Sequence, residues 1–244
     1  MTKRYIPLGL IALLLTPLTA SAQIHQVSSS SSNGGAQTVN FSVGYFALKG
    51  LYSRVGDDVI LNELQSAQPL LFQVKDLNSV PVGGEYLFGI QRNFEVGVGL
   101  AYAQRTAPSV YANLTNADGS EITQDIKLRQ VPVTFTGRFL ILPRGSVVEP
   151  YVGAGIVAIR YQYSEVGSFV DSDLSVFPAR YVAKGTASGP VVLAGVRAPM
   201  DRFVAGAEVR WQKAEAKGLL NDGFIGDKLD LGGWTTNFTF GVRF

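Results

Sequence analysis

From Val39 to the chain end, apolar side chains recur with a period of two, the spacing of a strand rather than a helix. Phe41, Val43, Tyr45 and Ala47 form one such set, and Tyr86, Phe88 and Ile90 a second. Phe94, Val96, Val98, Leu100 and Tyr102 follow, then Val131, Val133, Phe135, Phe139 and Ile141. Val192, Ala194, Val196 and Ala198 make a fifth set, and Phe203, Ala205, Ala207, Val209 and Trp211 a sixth. Trp234, Thr236, Phe238, Phe240, Val242 and Phe244 close the series. Val148 to Tyr163 is also strand-like, but both its faces are apolar or small and the pattern leaves its inward face open. Eight strands with one apolar face each are predicted.

The connections discriminate between architectures. Residues 49–80, 108–123, 164–183 and 216–230 read as long loops. Arg92-Asn93, Leu142 to Gly145 and Pro199 to Arg202 read as short turns. Long and short links alternate strictly, as in a barrel with short periplasmic turns and longer extracellular loops. Within hydrocarbon only a helix or a closed barrel satisfies its own backbone. After residue 22 no segment has the ~20 apolar residues of a spanning helix, while each strand has the ~9–11 of a tilted barrel strand. The predicted fold is all-β: an eight-stranded antiparallel up-and-down transmembrane barrel, residues 38–244, with both termini periplasmic. A soluble lipocalin-like barrel is disfavoured, because its outer face should be polar.

On this reading the apolar face meets lipid, with Tyr45, Phe94, Tyr102, Phe139, Phe203, Trp211, Trp234 and Phe244 as interfacial girdles. Charges are costly at the bilayer midplane, so Glu85, Glu95, Arg138, Arg197, Glu208, Arg210 and Arg243 belong in the lumen. Pro132 and Pro190 fall within strands and are expected at the extracellular rim, and Pro150 at the periplasmic rim.

Composition adds the compartment. Residues 1–22 read as a secretory signal peptide: Lys3 and Arg4, the apolar run Leu8 to Leu15, then Ala20-Ser21-Ala22. Losing Lys3 and Arg4 takes the formal charge from +2 to zero, and no run of five Lys or Arg occurs, so nucleic acid is not an expected partner. Residues 23–37, rich in Ser and Gly, read as a flexible periplasmic lead-in holding the only histidine, His25. Without cysteine there is no disulfide or thiolate chemistry, and no cofactor or metal site is expected.

The chain end, Asn237-Phe238-Thr239-Phe240-Gly241-Val242-Arg243-Phe244, resembles the terminal strand of bacterial outer-membrane proteins. With the signal peptide, eight strands and Gly-rich runs such as Glu95-Val96-Gly97-Val98-Gly99 and Tyr151-Val152-Gly153-Ala154-Gly155, the chain is similar to the small OmpA-, OmpX- and OmpW-type barrels. The resemblance implies an outer-membrane location in a diderm bacterium, contact with its lipid, and recognition of Phe238, Phe240, Val242 and Phe244 by the barrel assembly machinery. The resemblance to the barrel alone gives no expectation of a peptidoglycan-binding domain, so the anchoring role of OmpA is not implied.

Barrel enzymes of that membrane use a rim or loop His, and here the histidine precedes the barrel, so no enzyme is expected. Asp57-Asp58 and Asp171-Ser172-Asp173 could hold a cation, but solvated loop tips are the plainer reading. Eight strands leave a lumen just wide enough for side chains to fill, which favours a plug of Glu-Arg pairs. The expected role is structural or surface-interacting: a monomer whose four long loops are open to an external ligand. The alternative is an OmpW-like narrow passage for small hydrophobic molecules. The apolar stretches Val59 to Leu64 and Pro69 to Phe72 could cover a mouth or bind an apolar ligand, with packing on the rim as the default.

Overall fold

The computed structural model describes residues 36–171 and 173–244, so the expected signal peptide, His25 and nearly all of the lead-in lie outside them. Eight strands close a ring: β1 (Gln37–Leu48), β2 (Val82–Gln91), β3 (Phe94–Thr115), β4 (Glu121–Leu140), β5 (Glu149–Val170), β6 (Val176–Met200), β7 (Phe203–Gln212) and β10 (Gly233–Arg243). Each pairs antiparallel with its chain neighbour, and β10 returns to β1 with Phe41 opposite Phe240 and Val43 opposite Phe238. Two short strands, β8 (Glu215–Lys217) and β9 (Lys228–Asp230), pair in the last loop, and an α-helix, α1 (Val59–Gln65), lies in the first between two 3-10 turns. The barrel starts at Gln37, one residue before the expected boundary.

The three short turns share one rim, where Gln37 and Phe244 also exchange backbone hydrogen bonds of 3.2 and 2.9 Å. The two-residue turn between β6 and β7 places Asp201 at φ 56°, a left-handed conformation that Asp tolerates better than bulkier residues. The other rim is unequal. β3 to β6 run far past β1, β2, β7 and β10 and form a tall curved wall, against which the first and last loops pack.

That wall corrects two expected loops. Most of the described residues in 108–123 and 164–183 are strand, and β3 and β4, like β5 and β6, are joined only by short tips. The reason is a change of environment along each strand. Near the turns, β4 points Val133, Phe135 and Phe139 outward; further up, Ile126 and Leu128 point inward while Lys127 and Arg129 take the outer face. β5 does the same, with Val152 and Ile156 outside below, and Ile159, Tyr161 and Tyr163 inside above. The backbone period stays two, but the apolar set swaps faces where lipid outside gives way to water outside and a protein core inside. The inward face of β5 is thereby settled as its odd-numbered side, beginning with Glu149 and Tyr151.

The outer belt is broadly apolar, with Phe41, Ile156 and Phe238 each about two-thirds exposed. From Phe94 to Tyr102 the belt covers roughly 26 Å of strand at about 3.3 Å per residue, or about 20 Å in height once the strand is tilted. So large a continuous apolar surface has no place in water, and its height suits a bilayer. Phe94, Phe139, Phe203 and Phe244 lie toward the short-turn rim; Tyr45, Tyr102 and the directly paired Trp211 and Trp234 lie toward the other.

The prolines mark the belt's margins. Opposite Pro132 the β3–β4 ladder skips from Leu100–Val133 to Ala103–Gln130, since proline offers no N–H. At Pro190 the β6–β7 ladder ends, and its carbonyl accepts from the Lys213 N–H. Pro150 sits near the short-turn rim, where its carbonyl accepts from Ile141. Because Trp211 and Trp234 are the only tryptophans, they report the belt edge directly. Lipid brominated high on the acyl chain should quench their emission more strongly than lipid brominated at the chain end; the reverse order would move the belt.

Candidate functional site

All seven of the charged residues expected in the lumen point inward, and they meet there in two linked groups. In one, Arg138 Nη2 donates to Glu85 Oε2 at 2.6 Å and to Glu208 Oε2 at 2.7 Å. Arg210 adds a bond of 2.8 Å to Glu208 Oε1. In the other, Arg197 forms a two-pronged pair with Glu95 at 2.7 and 2.8 Å, and its Nε donates to Glu149 at 2.6 Å. Arg243 reaches Glu149 at 2.9 Å, and Arg144, from the β4–β5 turn, reaches Glu95 at 2.7 Å.

Glu149, Arg144 and Tyr151 are members that the alternation pattern did not reveal. Tyr151 couples the groups: its hydroxyl donates to Glu208 at 3.1 Å, and its ring lies 4.8 Å from the Arg138 guanidinium and 5.8 Å from that of Arg197. Gly195, directly opposite on β6, leaves the ring its room, because a Cβ there would overlap the phenol. Glu149-x-Tyr151 has the right period for one inward face, so an assigned inward face for β5 would have exposed both residues.

Four carboxylates thus face five guanidiniums, and Arg138, Glu95, Glu149, Arg197 and Glu208 are nearly or wholly buried. Charges so desolvated are tolerable only when each is paired with good geometry. Beside them, Asn40 and Glu85 line a cavity of about 60 Å³, each with a buried oxygen that no protein donor meets. That volume accommodates water, which would complete those bonds.

Above the ionic groups, the wide mouth is filled by protein. Phe46, Val59, Ile60, Leu70 and Phe72 pack against Ile126, Leu128, Ile159 and Tyr163 of the wall, and Leu219, Phe224 and Leu229 of the last loop complete the cluster. Both apolar stretches of the first loop therefore pack, as their default reading expected. The chain is stitched in place by backbone bonds, Leu71 N–H to Val110 O at 2.8 Å and Ala112 N–H to Pro69 O at 2.9 Å.

Asp58 is neither a solvated tip nor a cation ligand. It is fully buried, caps α1 by accepting from Leu61 N–H at 3.1 Å, pairs with Arg54 at 2.6 Å, and accepts from Asp230 N–H at 2.6 Å. Asp57 also stays within the protein's own bonding, accepting from Asn62 and from the Asp227 N–H. At the β5–β6 tip Asp173 accepts from Ser175 N–H. Among the described residues no group of three or more His, Cys, Asp or Glu is placed to hold a metal ion.

No protein-family model matches the chain, and no curated protein matches it. Solved structures do. The outer membrane protein OprG of Pseudomonas aeruginosa superposes with a TM-score of 0.50 at 13% identity, over 87% of this chain and 97% of that one. The fold is that of a small outer-membrane β-barrel. Ail, the attachment invasion locus protein of Yersinia pestis, solved with the heparin analogue sucrose octasulfate, gives 0.45 at 14% identity over 86% and 99%. The N-terminal β-barrel domain of Pseudomonas aeruginosa OprF gives 0.41 at 13% over 87% and 98%.

Within that outer-membrane barrel fold, β10 is the closing strand. Phe238, Phe240 and Phe244 project from it into the apolar belt, Val242 is partly covered, and Phe240 stacks on Phe203 with ring centroids 5.5 Å apart.

Proposed function

We propose that the protein is an integral outer-membrane barrel of a diderm bacterium, with both termini periplasmic, a closed lumen, and a structural or surface-interaction role outside the cell. The observation that carries this reading is double closure: an ion-paired lattice fills the belt region, and an apolar plug of the first and last loops fills the mouth above it. A pore would need to part both. What remains for an external partner is the outside of the tall β3–β6 wall, its hairpin tips, and the loops packed on it. In this reading the barrel is monomeric, its belt contacts outer-membrane lipid, and Phe238, Phe240, Val242 and Phe244 present the closing strand to the assembly machinery.

Heat-modifiable gel mobility of the detergent-refolded protein, paired with planar-bilayer recording, tests it. The expected result is a heat-shifted band with no discrete current. Reproducible current would replace the plug by the OmpW-like passage, and uptake of an apolar probe that changes when residues 49–80 are removed would point the same way.

A further inference from the structure

At the loop rim, beside the apolar plug, a cleft of about 490 Å³ opens between α1, the ends of β3, β5 and β6, and the last loop. Its walls are aromatic: Phe169 and Tyr181 meet edge-to-face at 4.9 Å, Tyr181 and Phe224 at 6.1 Å, and Phe224 packs on Tyr163 at 5.3 Å. Three carboxylate residues line it: Glu63 from α1 and Glu165 from β5 lie together, and Asp171 stands at the hairpin tip. Glu165 is 2% exposed, and its one bond is from the Tyr163 hydroxyl to Oε1 at 2.7 Å. Its Oε2 and the whole Glu63 carboxylate have no hydrogen-bond or ion-pair partner among the described residues, and no Lys, Arg or His lines the cleft.

This contrasts sharply with the lumen, where every buried carboxylate has an arginine. Two neighbouring carboxylates without a cation are costly when both are ionised, so the pair holds a proton unless something positive occupies the cleft. Asp171 is not brought together with Glu63 and Glu165 as a metal-holding group, since no three His, Cys, Asp or Glu among the described residues are so placed. An organic cation fits both features, since aromatic faces attract cations and also cover an apolar body.

We propose that this cleft binds an organic ammonium ion with an apolar substituent, the charge held by Glu63 and Glu165 and the body by Phe169, Tyr181 and Phe224. The outer-membrane reading supplies only the side from which the ligand arrives; binding itself does not depend on it. Burial, and then the charge of Glu165, push the Glu63 carboxyl up to about 8. The other titratable groups facing the pair are Tyr111 from β3, Tyr163 from β5, Tyr181 from β6 and Asp171 at the hairpin tip. A cation must therefore displace a proton from Glu63 below that pH, and affinity should rise as pH climbs toward 8 and then level.

Benzyltrimethylammonium, whose charge is independent of pH, is the probe, titrated calorimetrically into the full chain in detergent with benzyl alcohol as the neutral control. Saturable binding of the cation alone is expected, weakened about tenfold or more by Glu165→Gln and by Glu63→Gln. Retained heat-modifiable mobility shows that each variant folds; should Glu165→Gln not fold, the less buried α1 variant Glu63→Gln and the pH dependence of the unaltered protein decide. Equal binding of benzyl alcohol, absence of saturable binding, or displacement of the probe by calcium would each overturn the proposal. Because the measurement is made in detergent, its failure leaves the membrane reading intact, and a current in the bilayer experiment leaves the cleft intact.

Discussion

Replacing Arg138 with leucine should lower the barrel's unfolding free energy by about 3–5 kcal/mol. Arg138 is 1% exposed, and one of its nitrogens serves Glu85 and Glu208 together. Leucine would fill part of the space but leave Glu85 with only a distant Arg210 at 3.8 Å. The penalty is therefore mostly that of stranded carboxylate charge rather than of lost packing. The double variant Arg138→Leu/Glu85→Leu should recover part of the loss, because Glu208 retains Arg210 and the Tyr151 hydroxyl. Urea unfolding in vesicles, followed through Trp211 and Trp234, measures both. Equal stability of the single variant and the unaltered protein would mean that bulk water reaches Glu85 and Glu208 freely, and the plug would not be closed.

Asp58→Ala should release the mouth without unfolding the barrel. The side chain is a helix cap worth about 1 kcal/mol, and it is also the buried partner of Arg54, a loss of about 3–5 kcal/mol. It further holds Asp230 N–H, while Arg54 Nη2 donates to Asp230 O at 2.9 Å, so one carboxylate ties the first loop to the last. Hydrogen exchange should rise across residues 50–80 and 213–232, with heat-modifiable mobility unchanged. Asp58→Asn should fall between, keeping an acceptor for the cap but no counter-charge for Arg54. Unchanged exchange in the alanine variant would show that the apolar cluster alone secures the loops. The ionic lattice lies below, so even the loosened variant should stay silent in a planar bilayer.

The same residues show how far the chain could be read without its structure. In the belt, the sequence by itself determined strand count, ring order and the side-chain facing of every strand but β5. A strand with lipid outside and a lumen inside must alternate, and Phe94 to Tyr102 on β3 or Phe203 to Trp211 on β7 admits only one facing. It also brought the seven charges inside, since none is tolerable toward lipid.

Only the tertiary structure decided the rest. Residues 108–123 and 164–183 read as loops because their apolar positions change parity where the strand leaves the bilayer, and a single period cannot register that change. The facing of β5 was hidden because Val152 and Ile156 outside, and Val157 and Ile159 inside, are chemically alike. Glu149 and Tyr151 went unseen with it. Asp58 looked like a loop tip because its partners, Arg54 and Asp230, include one from the far end of the chain. The unpaired state of Glu63 and Glu165 has the same origin: a missing counter-charge is a property of the surroundings, and the surroundings here come from five separate segments. Alternation is local and is written in neighbouring residues, whereas pairing and burial depend on which distant segments closure of the barrel brings together.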